Sequence, residues 1–181
     1  MITEMRFEPT QITGLIAIIR EPAVDERGSF ARLFCHDQFA AHGLQTRFVQ
    51  QSISLTTRAG TLRGMHFQHD PHAETKFVAC IRGAVYDVVA DLRPASPSYR
   101  KWQAFRLAAD ENTSLLIPPG CAHGFQTLCD ECAMLYQMDT SYHPDAAAGF
   151  RFNDPAFAIS WPMPVRLIAP KDLAWPLLES N

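Results

Sequence analysis

The chain has 181 residues, of which 47% are hydrophobic and 19% charged, and a formal net charge of -3. That length suits a single domain over residues 1–181 with a sizeable core, and the composition excludes an intrinsically disordered chain. The slight acidic balance excludes a general nucleic-acid binder, which would carry a basic excess.

The N-terminal stretch carries Glu4 and Glu8 and no basic region leading into a long apolar run, so it does not read as a signal peptide. No run of about 18 apolar residues occurs, and no membrane span is expected. Most of the chain then reads as short strands separated by Gly, Pro, Asp or Asn. Ile12 to Ile19 is a β-branched apolar run ended by Pro22, and Asp37 to His42 suits a short helix before Gly43. Phe48 to Leu55, Leu62 to Gln68 and Lys76 to Arg82 follow as strands; Gly83 makes a turn into Ala84 to Leu92. Trp102 to Leu107, Ser114 to Ile117, Gly124 to Leu128 and Ala133 to Met138 complete the series, with turns or single helical turns at Asp154 to Phe157 and Pro170 to Asp172. Many short strands in succession predict an all-β sandwich or barrel over βαβ units.

The densest polar cluster runs from Arg63 to Lys76. Strict alternation along a strand places Leu62, Gly64, His66 and Gln68 on one face, with Arg63, Met65 and Phe67 on the other. A histidine with a lysine nearby suits proton abstraction beside a carbonyl, the imidazole taking the proton and the ammonium steadying the enolate. His69 and His72 read as solvated loop residues. A second histidine, His123, follows the turn Pro118-Pro119-Gly120 near the start of its strand. Two histidine-bearing strands raise a metal site, and a metal-dependent barrel enzyme is the rival reading. Against it, the position two after His66 is Gln68, and an amide is a poor transition-metal ligand. Tyr136 alone reads as a core tyrosine; beside a ketone its phenol is able to donate a proton. Arg27, Arg63, Lys76, Arg82 and Lys171 sit at turns, where convergence on one cavity would bind a diphosphate. The cysteines are Cys35, Cys80, Cys121, Cys129 and Cys132, an odd count that reads as free thiols in a reducing cytosol. Cys129-Asp130-Glu131-Cys132 has CxxC spacing but lacks a second pair, and reads as an incidental hairpin turn.

These segments together resemble the dTDP-4-dehydrorhamnose 3,5-epimerase family of the cupin superfamily. The resemblance rests on Asp25-Glu26-Arg27-Gly28-Ser29-Phe30, Phe48-Val49-Gln50, Thr61 to Gln68, Lys76-Phe77-Val78 and Asp87 to Arg93. It continues through Ser96 to Tyr99, Ile117 to Phe125, Asn153-Asp154-Pro155, Trp161-Pro162 and Lys171-Asp172, in the family's order over nearly the whole chain. It implies a jelly-roll barrel acting as a homodimer without cofactor or metal. The implied reaction is epimerisation of a nucleoside-diphosphate 4-keto-6-deoxyhexose at C3, C5 or both. His66 is implied as the base, Asp172 as its carboxylate partner, Lys76 as the enolate-stabilising group and Tyr136 as the acid on the opposite face. Arg27, Gln50, Arg63, His123 and Lys171 are implied as binders of the sugar nucleotide. The chain departs from the family at Arg32, at Gln51-Ser52, at Ala147 and at Ser141-Tyr142, so the reaction type is better specified than the substrate. A mono-epimerase on another nucleotide sugar is the alternative within the family.

Overall fold

In the computed structural model, residues 4–178 are described, and their elements run in chain order as follows. Strands β1 (Met5–Pro9), β2 (Ile16–Arg20), β3 (Ala23–Asp25) and β4 (Gly28–Phe30) precede helix α1 (His36–Ala41). Next come β5 (Gln50–Thr56), β6 (Thr61–Gln68), β7 (Lys76–Arg82), β8 (Ala84–Asp91) and β9 (Trp102–Ala108). The series ends with β10 (Thr113–Ile117), β11 (Cys121–Thr127), β12 (Cys132–Met138), β13 (Ala147–Gly149), β14 (Leu167–Ile168) and α2 (Pro170–Leu173).

The strands form two facing sheets in jelly-roll fashion. One has the order β1-β2-β10-β7-β12-β5; the other is β13-β6-β11-β8-β9, with β14 pairing parallel to β6. Strands β5 to β8 alternate between the sheets, as do β10 to β12, so neighbours in sequence face each other across the core. β3 and β4 form a separate hairpin.

Three apolar clusters explain why these segments are strands. Between the sheets, Val78 and Cys80 of β7, Val85 and Val89 of β8, Leu115 and Ile117 of β10, and Cys121 and Phe125 of β11 interdigitate. Their immediate neighbours Ala79, Val88, Leu116 and Ala122 face outward. On the β6–β11–β8 sheet, Met65, Val88, Ala90 and Ala122 meet Phe150, Phe157 and Ile159 of the C-terminal segment. On the other sheet, Phe77, Ala79 and Leu116 are covered by Phe39 of α1. Covering both faces buries every residue of β11 and all but one of β8.

Several predicted elements shift. Of the Ile12 to Ile19 run only the residues from Ile16 onward are strand, in β2, which extends one residue further to Arg20; Ile12 and Leu15 plug the core from the preceding turn. β5 starts at Gln50 because Phe48 leaves the strand path to pack edge-on against Phe34, centroids 5.4 Å apart. β1, β3, β4, β13 and β14 were not predicted. Their pairing is imposed by neighbours, and Ala147-Ala148 has no β preference of its own. At Gly83, φ is +74°, and a Cβ would lie 2.8 Å from Cys132 Sγ. Glycine is therefore required both by the turn and by the space. Among the described residues, no helix is long and apolar enough to cross a membrane.

Candidate active site

A cavity of about 680 Å³ opens between the two sheets and is floored by α2. Its walls follow from strand parity. On β7, Val78 and Cys80 point inward, so Lys76 does too; on β12, Tyr136 packs with the inter-sheet core alongside Met134. On β11, His123 lies between inward Cys121 and Phe125. On β8, Asp87 lies between inward Val85 and Val89 and is fully buried.

β6 breaks the alternation. His66 pairs with His123 and Arg63 with Phe125, so three steps on β6 oppose two on β11. This one-residue bulge flips the parity. Arg63, predicted on the face opposite to His66, lines the same cavity, while Met65 packs in the outer cluster. Two glycines make the bulge possible. Gly64 has φ +137°, and a Cβ there would sit 2.5 Å from Gly124 Cα; a Cβ on Gly124 would sit 2.8 Å from the Arg63 carbonyl oxygen. The backbones of β6 and β11 approach where any side chain would separate them.

His66 Nε2 lies 2.6 Å from Asp172 Oδ1, and Asp172 Oδ2 accepts the Gly64 backbone N–H at 3.2 Å. A carboxylate only accepts, so Nε2 carries the shared proton, and in the neutral imidazole Nδ1 keeps its lone pair. Nδ1 has no hydrogen-bond partner among the described residues, and the side chain is 42% exposed. Burial works to raise the Asp172 pKa, but the hydrogen bond and charge of His66 and the Gly64 N–H outweigh it and hold the carboxyl below the ordinary range.

Across the cavity, the Tyr136 pKa is pushed well above its ordinary value, first by burial and then by the Asp87 charge, with Arg63 opposing. The phenol thus stays protonated. His123 Nε2 donates to Asp87 Oδ2 at 2.8 Å, and its ring lies edge-on to Tyr136 with centroids 5.9 Å apart. Lys76 pairs with Glu74 at 3.0 Å and donates to the His66 carbonyl at 3.3 Å. Arg63 is held by Thr56 Oγ1 and the Leu55 carbonyl. Lys171 Nζ lies 5.3 Å from the Trp175 ring centroid.

The structure therefore gathers His66, Tyr136, Lys76, Asp172, Arg63, His123 and Lys171 around one cavity. Two predicted binders lie elsewhere. Gln50 does not line the cavity; its Oε1 accepts the N–H of Tyr142, a rim residue. Arg27 sits on the β3–β4 hairpin, bound to Asp25, in a separate surface recess with Phe30. Arg27 does not line the cavity of its own chain. Of the departures from the family pattern, Ser52, Tyr142 and Ala147 line the cavity, whereas Arg32 contacts Cys35 outside it. Sequence reasoning missed Glu74, Asp87 and Trp175. Asp87 was legible as a carboxylate at an inward strand position; nothing in the sequence marks Trp175. Among the described residues, no group of three or more His, Cys, Asp or Glu is arranged to hold a metal ion. The CxxC thiols, Cys129 and Cys132, lie 3.6 Å apart beside the β7–β8 turn, outside the cavity.

Comparisons with known proteins agree with this geometry. The family profile for dTDP-4-dehydrorhamnose 3,5-epimerase matches residues 9–180. The dTDP-4-dehydrorhamnose 3,5-epimerase of Methanothermobacter thermautotrophicus is 39% identical over 183 residues, covering 99% of this chain and 98% of the relative. The dTDP-4-dehydrorhamnose 3-epimerase of Streptomyces niveus is 38% identical over 169 residues, covering 93% and 81%. The crystal structure of the Bacillus anthracis dTDP-4-dehydrorhamnose 3,5-epimerase with TDP and PPi bound superposes with a TM-score of 0.94 at 36% identity, covering 97% of this chain and 100% of that one.

Proposed function

The chain belongs to the dTDP-4-dehydrorhamnose 3,5-epimerase family, and from that premise we propose that it epimerises a dTDP-4-keto-6-deoxyhexose beside its C4 ketone. The observation that carries this reading is the position of an imidazole and a phenol on opposing sheets of one cavity. Inversion needs two sides, because a single base returning its own proton restores the starting centre.

In this reading, His66 Nδ1 removes the proton from the carbon next to the ketone. Asp172, already ionised, stabilises the imidazolium that forms. Negative charge moves to the C4 oxygen, where the Lys76 ammonium meets it. Tyr136 then gives its phenolic proton to the same carbon from the other face. C3 and C5 both flank C4, so one enolate site serves either centre. Arg63, His123 and Lys171 supply the cationic and donor groups for the diphosphate and sugar.

A 3,5-epimerase and a 3-epimerase match at nearly equal identity, so likeness alone does not choose between them. Ser52, Tyr142 and Ala147 line the cavity at positions where the chain departs from the family, and the substrate's fit against them decides which centres invert. We further propose a homodimer. Ile53 and Leu55 are 59% and 63% exposed on the edge strand β5, and Val24 and Phe30 are 73% and 64% exposed on the hairpin that bears Arg27. A second copy would cover these residues and give Arg27 a cavity to reach. The five unpaired thiols support a cytoplasmic location.

The experiment is incubation with dTDP-4-keto-6-deoxyglucose in D2O, read by NMR. Wild type is expected to exchange and invert at C3, C5 or both. Tyr136→Phe is expected to exchange yet lose inversion by at least about 100-fold. Absence of solvent exchange in wild type, or full inversion by Tyr136→Phe, would refute the mechanism.

A further inference from the structure

Glu74 is a carboxylate buried in the cavity wall, and the mechanism above does not use it. Its side chain is 10% exposed, and Oε1 lies 3.0 Å from Lys76 Nζ. Oε2 accepts from Gln68 Nε2 at 2.7 Å. Gln68 is itself fixed: its Oε1 accepts the His143 backbone N–H at 2.7 Å, so its Nε2 is bound to donate, also meeting the His72 carbonyl at 3.0 Å.

An ammonium has three protons. In Lys76, one is committed to Glu74 and one to the His66 carbonyl at 3.3 Å, which leaves one for the cavity the residue lines. We infer that Glu74 is the positioning residue for Lys76, aiming its remaining N–H at the substrate's C4 oxygen. The inference rests on the reading of Lys76 as the enolate-stabilising group.

Both oxygens of residue 74 must accept, one from an amide and one from an ammonium. A glutamine cannot do this. With its oxygen toward Gln68, its NH2 faces the Lys76 ammonium, donor against donor; turned over, it faces the Gln68 amide in the same way. Only an ionised carboxylate satisfies the pair. The chain Ser141–His143 to Gln68 to Glu74 to Lys76 also ties the rim of the cavity to the ammonium, because Gln68 Nε2 reaches the Ser141 carbonyl at 3.4 Å.

A double-mutant cycle tests this with dTDP-4-keto-6-deoxyglucose in D2O, measuring deuterium exchange at saturating substrate and KM. Glu74→Gln is expected to slow exchange by about 10- to 100-fold with KM changed less than about three-fold, the pattern of a misaimed oxyanion donor. In a Lys76→Met background, Glu74→Gln is expected to change the rate by less than about two-fold, because its effect passes through Lys76. Melting followed by circular dichroism verifies the fold, and should Glu74→Gln not fold, Glu74→Asp carries the same cycle. Equal losses in both backgrounds would overturn the inference, as would a Glu74→Gln enzyme of wild-type rate beside an impaired Lys76→Met enzyme. A Lys76→Met enzyme of wild-type rate would instead sink the role of Lys76, and this inference with it.

Discussion

Asp172→Asn isolates the carboxylate of the proposed base. Asparagine fits the same space, and its oxygen is able to keep accepting the Gly64 N–H, so the α2–β6 contact survives. What is lost is the charge at 2.6 Å from His66 Nε2. A hydrogen bond to a charged group contributes about 1.5–3 kcal/mol, and about 1.4 kcal/mol is a factor of ten. Loss of charge alone thus slows proton abstraction by roughly 10- to 100-fold. A second effect adds to it. The asparagine NH2, if turned toward Nε2, selects the tautomer with Nδ1 protonated, which removes the lone pair the base needs. In a serine-protease triad the same change costs about 10⁴-fold, which sets the upper bound. The assay is deuterium incorporation at C3 and C5 by NMR, with thermal melting to verify the fold. Exchange within about three-fold of wild type, in a folded variant, would refute the dyad. At about pH 5 the carboxylate itself stays ionised, because the Asp172 pKa is held below its ordinary value of about 4.

Three further outcomes follow from the packing. Gly64→Ala places a Cβ 2.5 Å from Gly124 Cα at φ +137°, so backbone strain and overpacking together are expected to cost about 2–5 kcal/mol, read by urea denaturation. Asp91 is buried; burial raises its pKa, but hydrogen bonds from Arg93, Ser96 and Ser98 hold it well below the ordinary value. A depressed folded pKa gives stability that is complete above the unfolded value of about 4 and lost as pH falls through the folded one. The melting temperature of wild type is therefore expected to drop more steeply below about pH 4 than that of Asp91→Asn, which is less stable at neutral pH. Ile53→Asp with Leu55→Asp puts two charges on the exposed edge of β5 and is expected to convert a dimer to monomer in analytical ultracentrifugation; an unchanged sedimentation coefficient would place the interface elsewhere.

The strands with clear apolar runs were the legible ones, whereas β11, read from Gly124, begins three residues earlier at Cys121. β7, predicted as Lys76 to Arg82, has those bounds, and β8, β9, β10 and β12 end within a residue of their predicted limits. These runs carry enough apolar and β-branched residues to announce themselves. β13 and β14 carry no such signal. They are strands because β6 offers them a free edge, a tertiary fact that local sequence does not encode. The same holds for Ile12 and Leu15, whose side chains are core but whose backbone is turn.

The site was legible in its residue types and misread in its geometry at one strand. Alternation is a sound rule only while a strand stays regular, and it put Arg63 on the wrong face because the bulge lies between it and His66. The cue was the glycine itself. Gly64 and Gly124 lie on partner strands, each one residue from a histidine or arginine that lines the cavity, and neither tolerates a Cβ. Two glycines flanked by inward polar residues mark a place where strands close up and the parity slips. At that slip, an arginine and a histidine three residues apart come to face one cavity, which regular pleating would forbid. The pairing of Arg63 with His66 in one cavity is thus a property of the glycines between and opposite them.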